Sequence, residues 1–553
     1  MKKQTLTKLD PITLEIQWKR LVSMVDEASA AFVRTSFSVL VREANDFAVV
    51  LTDAQGRSIA QSVLSIPSFI GTLPATVKHF LQKFPAKTLK PGDVMITNDP
   101  WMGTGHLNDF VVTTPCFRGG KLIGLFSCTS HLMDIGGIGF GPDATDVFME
   151  GLYIPFLKLF EEGRPNETLM AMIRSNTRTP VDTIGDVYSL ANCNEVGVTR
   201  LAAMMDEFKL DDLDLLANHI CDRSREAVLE QIAKLPKGTW SNTMTIDGYE
   251  QPIELAAKVT VGPESITVDY TGTSPAARRG INVPLAYTTA YTVFGLACVV
   301  SPRVPNNAGS LSPFVVTAPK GSILNALKPA AVLARHITGQ MLPDMVFGCL
   351  RQAVPDRVPA EGTSCLWNIT LRGRLADDDT GNYGFATTFT SNGGTGARPM
   401  SDGLSTTAYP SGVKGTPVEI AEQIMPLIFW RKEYRQDSGG VGRTRGGLGQ
   451  VIEIESGIGQ PFELLAAFDR IDHPPRGRDG GHNGANGRVG LRSGVVMKGK
   501  GTQLIAPGER LVIQTSGGGG MGDPGERDPA AVGRDLENEL ISPNAAKRDY
   551  LSG

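Results

Sequence analysis

Two β-rich runs, Val111 to Cys116 and Lys121 to Thr129, flank Arg118-Gly119-Gly120, where Gly119 can take positive φ at no steric cost; the stretch is set to fold as a β-hairpin. Around it, between Asn98 and Gly137, lie His106, Asp109 and His131, three side chains that can ligate a divalent metal. A two-residue turn centred on Arg118-Gly119 or on Gly119-Gly120 places His131 opposite His106 or Asn108. Directly opposed Cβ atoms stand ~5 Å apart, close enough for two imidazoles to share an ion. Asp109 follows His106 by three residues, and a regular strand would send the two to opposite faces. His106 is therefore expected in the Gly103-Thr104-Gly105 loop, with the strand starting after it.

One His at a strand end is ordinarily a satisfied polar residue. Three ligands converging through one hairpin point instead to a metal, and two imidazoles plus a carboxylate with open positions suit Zn, Mn or Fe. Such a site leaves room for a water or a substrate oxygen. Asp134, with His131, forms the expected catalytic pair, Asp134 acting as proton acceptor, and Gly136-Gly137 permits a close backbone approach. Glu43 and Asp46 are alternative fourth ligands.

Along the chain, Asp10-Pro11 opens a long helix that ends near Ser36. Phe47 to Leu51 and Ser58 to Gln61 read as strands about an Asp53 to Gly56 turn, and Val94 to Thr97 as another. Leu73 to Phe84 is a predicted amphipathic helix whose His79 reads as a surface residue. From Asp182 to Ala233 the pattern is helical, and His219 there reads as structural. At Pro236-Lys237-Gly238 the period changes, and Thr239 to Tyr270 alternates as antiparallel sheet. Ala286 to Val300 and His336 to Val354 are predicted helices; Leu366 to Leu371, Phe385 to Thr390 and much of Val451 to Ile513 are predicted strands. The expected fold is α+β: a mixed α/β N-terminal domain over residues 1–236 carrying the metal hairpin, then a β-rich C-terminal domain over 237–553.

Three Gly-rich loops fall in the second half, at 391–399, 438–447 and 516–524. Their amides can form anion nests, with Arg398, Arg443 or Arg445 holding a phosphate or carboxylate, or they can be tight turns between strands. None is followed by the Lys-Ser or Lys-Thr of a P-loop, so this chain carries no recognisable nucleotide site. His336 is a candidate facing the substrate; His473 and His482 are weaker ones.

A net charge of −4, with no basic stripe, excludes a nucleic-acid binder of the usual kind. Seven scattered Cys without a C-x-x-C pair argue against a disulfide framework or a zinc ribbon and fit a reducing cytoplasm. The N-terminus MKKQTLTKLD lacks the apolar segment of a signal peptide, and Ala286 to Val300 is too short and polar to span a bilayer.

Asn98-Asp99-Pro100 with Gly105-His106-Leu107-Asn108-Asp109, His131 to Gly137, Asn282 to Tyr287, Pro305 to Gly309 and the tail Ser516 to Tyr550 resemble the hydantoinase B family along nearly the whole chain. The family comprises partner subunits of ATP-dependent hydantoinases, N-methylhydantoinases, 5-oxoprolinase, caprolactamase, and acetone and acetophenone carboxylases. The resemblance implies a separate kinase-like hydantoinase A subunit that uses ATP and Mg to phosphorylate the carbonyl oxygen of a lactam or ketone. It also implies a divalent metal, zinc or manganese above all, in this chain at His106, Asp109 and His131, with a further carboxylate at Asp46 or Glu43. Asp46 is preferred because Asn45-Asp46-Phe47 matches the family's stretch there. Leu132 departs from the pattern, since many relatives carry a second His at that position. The expected activity is ATP-dependent hydrolysis of a cyclic amide in a hetero-oligomer. The alternatives are a ketone carboxylase subunit and a non-catalytic scaffold for the kinase-like subunit.

Overall fold

A computed structural model describes residues 10–374 and 384–550; residues 1–9 of the N-terminal stretch discussed above lie outside it. Asp10 caps the first helix, α1 (Pro11–Thr35), by accepting from the Thr13 amide at 3.2 Å. Leu14, Leu21, Met24, Val25, Ala28 and Phe32 form its buried stripe. After the single turn α2 (Val39–Arg42) come β1 (Phe47–Asp53) and β2 (Ser58–Gln61), then α3 (Pro67–Lys83) and β3 (Val94–Thr97). The hairpin is β4 (Asp109–Arg118) and β5 (Lys121–His131), followed by β6 (Leu157–Glu161) and β7 (Arg164–Pro165). Three helices close this region: α4 (Glu167–Asn176), α5 (Pro180–Glu207) and α6 (Asp214–Ala233).

The seven strands form one sheet in the order β2-β1-β5-β4-β3-β6-β7. Helices cover both faces, and the strands sort their side chains by alternation. Val49, Leu51, Phe110 and Val112 pack with α1 and α5; Ala48, Val50 and Val111 pack with α3. At Gly197 the α5 backbone comes so close that a Cβ would lie 2.5 Å from the Phe126 ring. Helix α3 begins six residues before the expected Leu73. Pro67 serves its first turn, where a missing N–H costs nothing, and Pro74, which suits a helix start, is an interior residue instead.

Among the described residues, the second half holds three four-stranded sheets. The first, β11-β10-β9-β8, is built from β8 (Gly238–Ile246), β9 (Ile253–Val261), β10 (Ile266–Asp269) and β11 (Phe314–Thr317). Between β10 and β11 run α7 (Leu285–Val300) and α8 (Ala308–Leu311). The predicted helix His336 to Val354 is two helices, α9 (His336–Gly339) and α10 (Leu342–Leu350), because Pro343 restarts the helix. The remaining sheets combine β12 (Trp367–Gly373) and β13 (Phe385–Ser391) with β16 (Phe462–Ala467) and β18 (Lys500–Ile505), and β14 (Leu427–Tyr434) and β15 (Gln450–Ser456) with β17 (Arg488–Leu491) and β19 (Leu511–Gln514). The fold is thus mixed α+β. No helix among the described residues is long and apolar enough to cross a membrane.

The Gly-rich loops pack on one another, and most of their amides find carbonyl partners rather than facing a common anion site: Gly518 N–H donates to the Gly447 carbonyl, Gly440 N–H to Gly518, Gly446 N–H to Gly440, and Gly394 N–H to Ser516. A Cβ on Gly446 would lie 1.9 Å from the Gly518 carbonyl oxygen, so only glycine permits this packing. The arginines are engaged too. Arg445 pairs with Asp535 at 3.1 Å and Arg443 with Glu526 at 3.4 Å. Arg398, expected to hold substrate or phosphate, is exposed, donates to the Asp402 carbonyl at 2.7 Å and does not line the cavity described next.

Candidate metal centre

The hairpin forms where expected, but its register differs. Next to the turn Arg118 faces Lys121; then Phe117 faces Leu122 while Cys116 faces Gly124, leaving Ile123 as an extra residue on β5. This bulge slides the rest of the pairing by one residue. His131 consequently stands opposite Asp109, not His106 or Asn108. The neighbouring strand adds a carboxylate to the same row. Phe47 pairs with Ser130, and one step further the His131 N–H donates to the Asp46 carbonyl at 3.3 Å. Asp46, His131 and Asp109 thus line up across three adjacent strands at their ends.

His106 enters from the loop before β4, as expected. Asn98 fastens that loop, donating from Nδ2 to the Leu107 and Leu152 carbonyls at 2.7 and 2.8 Å and accepting from Ile154 N–H at 2.6 Å. Gly105 adopts φ +102°, and a Cβ there would lie 2.6 Å from Cδ and Nε of Arg335. His106, Asp109 and His131 are buried, and their ligand atoms all lie within 4.8 Å of one another.

The second half of the chain supplies the remaining wall. Arg335 donates from Nη2 to Asp109 Oδ2 at 2.6 Å and from Nε to the Thr104 carbonyl at 2.9 Å, with its guanidinium 4.1 Å over the Tyr287 ring. His336 lines the cavity, with Nε2 3.3 Å from Asn368 Nδ2 and Nδ1 buried without a hydrogen-bond partner. Tyr291 and Gln340 line it too. The sequence reading missed Arg335, Tyr287 and Asn368; the only local hint was that Arg335 precedes His336.

The hydrogen bonds define the electrostatics. His106 Nδ1 lies 2.8 Å from the Leu333 carbonyl, which can only accept, so Nδ1 carries the hydrogen. Nε2 of the neutral ring then turns its lone pair toward Asp109 Oδ1 at 2.7 Å and faces His131 Nδ1 at 3.3 Å. Burial and the Arg335 charge bring the His106 pKa down to about 4, so a proton does not fill that gap near neutral pH. Burial works to raise Asp109, but the Arg335 guanidinium helps hold it well below the usual carboxylate range. Burial pushes Asp46 up to about 6 despite His131. His336 is held well below its ordinary value by burial and then by Arg335, and is neutral. Two acceptors facing each other at 2.7 Å repel unless a cation sits with them, and two imidazoles with carboxylates suit a divalent one.

Other expected residues fall elsewhere. Asp134 does not reach the cavity. Its carboxylate binds Arg178 Nη1 at 2.6 Å and the Gly136, Arg178 and Thr179 amides, fixing the loop after β5. With its carboxylate engaged by these four donors and off the cavity lining, Asp134 is not placed as the expected base. Asp46 lines the cavity, whereas Glu43 caps α2 outside it. His473 binds Asp247 at 2.9 Å, His482 is exposed and His79 is partly exposed beside Gln82. Leu132 is buried in the core, leaving no second His beside His131.

The hydantoinase B/oxoprolinase family model matches residues 10–524. The B-type subunit of a putative D-/L-hydantoinase from a Pseudomonas species is 28% identical over 99% of this chain and 95% of its own. The crystal structure of an ATP-dependent caprolactamase from Pseudomonas jessenii superimposes with a TM-score of 0.87 at 26% identity, covering 98% of this chain and 96% of that one. The nucleotide-free structure of an acetone carboxylase shares the fold, with a TM-score of 0.85 at 18% identity over 98% of this chain and 79% of that one.

Proposed function

Since the chain belongs to the hydantoinase B/oxoprolinase family, we propose that it is the metal-bearing subunit of an ATP-dependent cyclic-amide hydrolase. It completes the opening of a hydantoin, N-methylhydantoin or related lactam that a kinase-like partner subunit has phosphorylated. The observation that carries this reading is the facing pair His106 Nε2 and Asp109 Oδ1, 2.7 Å apart and buried with His131. That donor set fits a divalent ion of the zinc, manganese or iron class, with Asp46 as the fourth ligand.

Each residue has a task in this reading. The Leu333 carbonyl fixes the His106 tautomer, and Arg335 holds Asp109 ionised and oriented. His131 completes the ligand set from the opposite strand. Neutral His336, with Nδ1 unpartnered, is the group available to hydrogen-bond a substrate oxygen. Phe140 and Tyr287 exclude bulk water, which strengthens every interaction inside. A bound divalent metal would supply Lewis acidity and activate water. Ring amides are poor electrophiles, and O-phosphorylation by the partner makes the carbon attackable and provides a leaving group.

The test is reconstitution with the kinase-like partner and a panel of hydantoin, N-methylhydantoin, 5-oxoproline, caprolactam, acetone and acetophenone, with and without bicarbonate. ADP release coupled to ring opening and indifferent to bicarbonate is the expected result. Product that forms only with bicarbonate would make the protein a carboxylase subunit. Full activity of the complex with His131→Ala would leave this chain a scaffold.

A further inference from the structure

The cavity at the candidate metal centre is small. Its volume is about 40 Å³, room for roughly one or two waters, whereas sites for small organic ligands run to roughly 300–1,000 Å³. A cyclic amide reaches His106, Asp109 and His131 only if some of the wall moves. Half of its lining residues, among them Phe69, Asp109, His131 and Tyr291, belong to strands and helices. Between α3 and α7 the backbones are in contact, a Cβ on Gly71 lying 3.9 Å from Ala290 Cα, so an opening there would have to pull the helices away from each other. An apolar cavity of about 430 Å³ lies beyond them, lined by Gly71, Thr289 and Ala290.

Phe140 is built differently. Its ring centroid lies 4.8 Å from His131 and 5.8 Å from His106, both edge-on, and it stacks on His336 at 5.9 Å. Among the described residues, no hydrogen bond holds the backbone of Gly139, Phe140 or Gly141. Both flanks are clamped. Arg372 Nη1 donates to the Ile138 carbonyl at 2.9 Å, and Gly280 N–H donates to the Pro142 carbonyl at 2.9 Å. Asp143 then accepts from the Tyr249 hydroxyl at 2.6 Å and the Thr502 amide at 2.9 Å. Three residues, two of them glycine, thus form a short crank between fixed ends. The same loop borders open space, since Asp143 lines a cleft of about 920 Å³ with Tyr249, Arg279 and Lys500.

We propose that Phe140 is the residue that admits and size-selects the substrate, turning about Gly139 and Gly141 to join the small metal chamber to this cleft. Its purpose rests on the metal-enzyme reading above; its test does not, because access to the chamber is a property of the metal-free chain.

The experiment treats the full-length metal-free protein with diethyl pyrocarbonate and follows each His by peptide mass spectrometry, with exposed His482 as reference. In the unmodified protein His131 and His336 should react far more slowly than His482. Phe140→Ala is expected to raise both rates roughly tenfold or more, since reactivity scales with the open fraction, and to leave His482 unchanged. Gly141→Ala is expected to lower them, because its Cβ would press on Leu465 Cβ at 3.3 Å. Thr289→Trp, which fills the cavity beyond α3 and α7, should change neither. Equal rates in Phe140→Ala and the parent protein, or slower labelling in Thr289→Trp, would overturn the proposal by moving the entrance elsewhere. Elemental analysis of the same preparations after metal loading scores the metal reading separately. A chain that takes up no ion yet shows the Phe140 effect keeps the entrance and loses the metal chemistry.

Discussion

Asp109 and His131 face each other across the β4–β5 hairpin only because Ile123 is accommodated as a bulge. In a strand, a slip of one residue turns every side chain to the other face. The bulge therefore decides whether the carboxylate and the imidazole meet at all, and the β1 register then carries Asp46 into the same row.

The convergence of lone pairs predicts stoichiometric uptake of one divalent ion. Elemental analysis after dialysis should find about one ion per chain, with His131→Ala and Asp109→Asn near zero. Ligand linkage predicts that saturating metal at ~100 times its Kd raises stability by ~2.7 kcal/mol. An unchanged unfolding midpoint on chelator treatment of a metal-loaded sample would contradict the site.

In the metal reading, Arg335 orients a ligand through its bond to Asp109. Arg335→Gln leaves Asp109 Oδ2 without its 2.6 Å donor, and metal affinity should fall ~10- to 100-fold, as for other groups that orient a ligand. Arg335→Lys should not restore it. One ammonium cannot serve both Asp109 and the Thr104 carbonyl while stacking on Tyr287. Competition with a metal indicator measures both; full rescue by Lys would refute the geometric argument.

Gly105→Ala should be severe for a residue whose change adds one methyl group. At φ +102° the Cβ would meet Arg335 at 2.6 Å, a buried side chain held by two hydrogen bonds. Strain of order 1–3 kcal/mol is expected, with displacement of Arg335 and weaker metal binding. Denaturant unfolding and the same indicator assay read the two effects.

Glu150 gives the fold a pH dependence. Its Oε1 accepts from the Val332 and Leu333 amides at 2.6 and 2.7 Å, and burial pushes its carboxyl from 4.5 up to about 8. The native state holds this proton more tightly than the unfolded chain does. Its contribution is therefore full below pH 4.5 and is lost as pH rises through about 8. Glu150→Gln cannot titrate, so the parent's stability relative to this variant should fall across that window, by at most about 5 kcal/mol. Parallel pH profiles of urea unfolding in the two proteins would count against a protonated Glu150.

Sequence alone determined what is local in this protein. The cap at Asp10, the hairpin about Gly119-Gly120, the loop position of His106 and the identity of the three clustered candidate ligands follow from turn chemistry and strand propensity within a few dozen residues. The rest depends on contacts between distant segments. Pro74 and Pro343 could each be read as starting or interrupting a helix, and packing chose. The Gly-rich loops had amides to offer an anion, and their carbonyl neighbours from other loops took them. Asp134 stood close to His131 in sequence, yet Arg178 claimed its carboxylate. Arg335 and His336 reach the centre from more than two hundred residues away, and a bulge with no clear local signal fixed the register. Backbone hydrogen bonding selects elements from nearby residues, but the partners of a buried charge are whichever groups the folded chain brings within about 3 Å, and only the tertiary structure decides those.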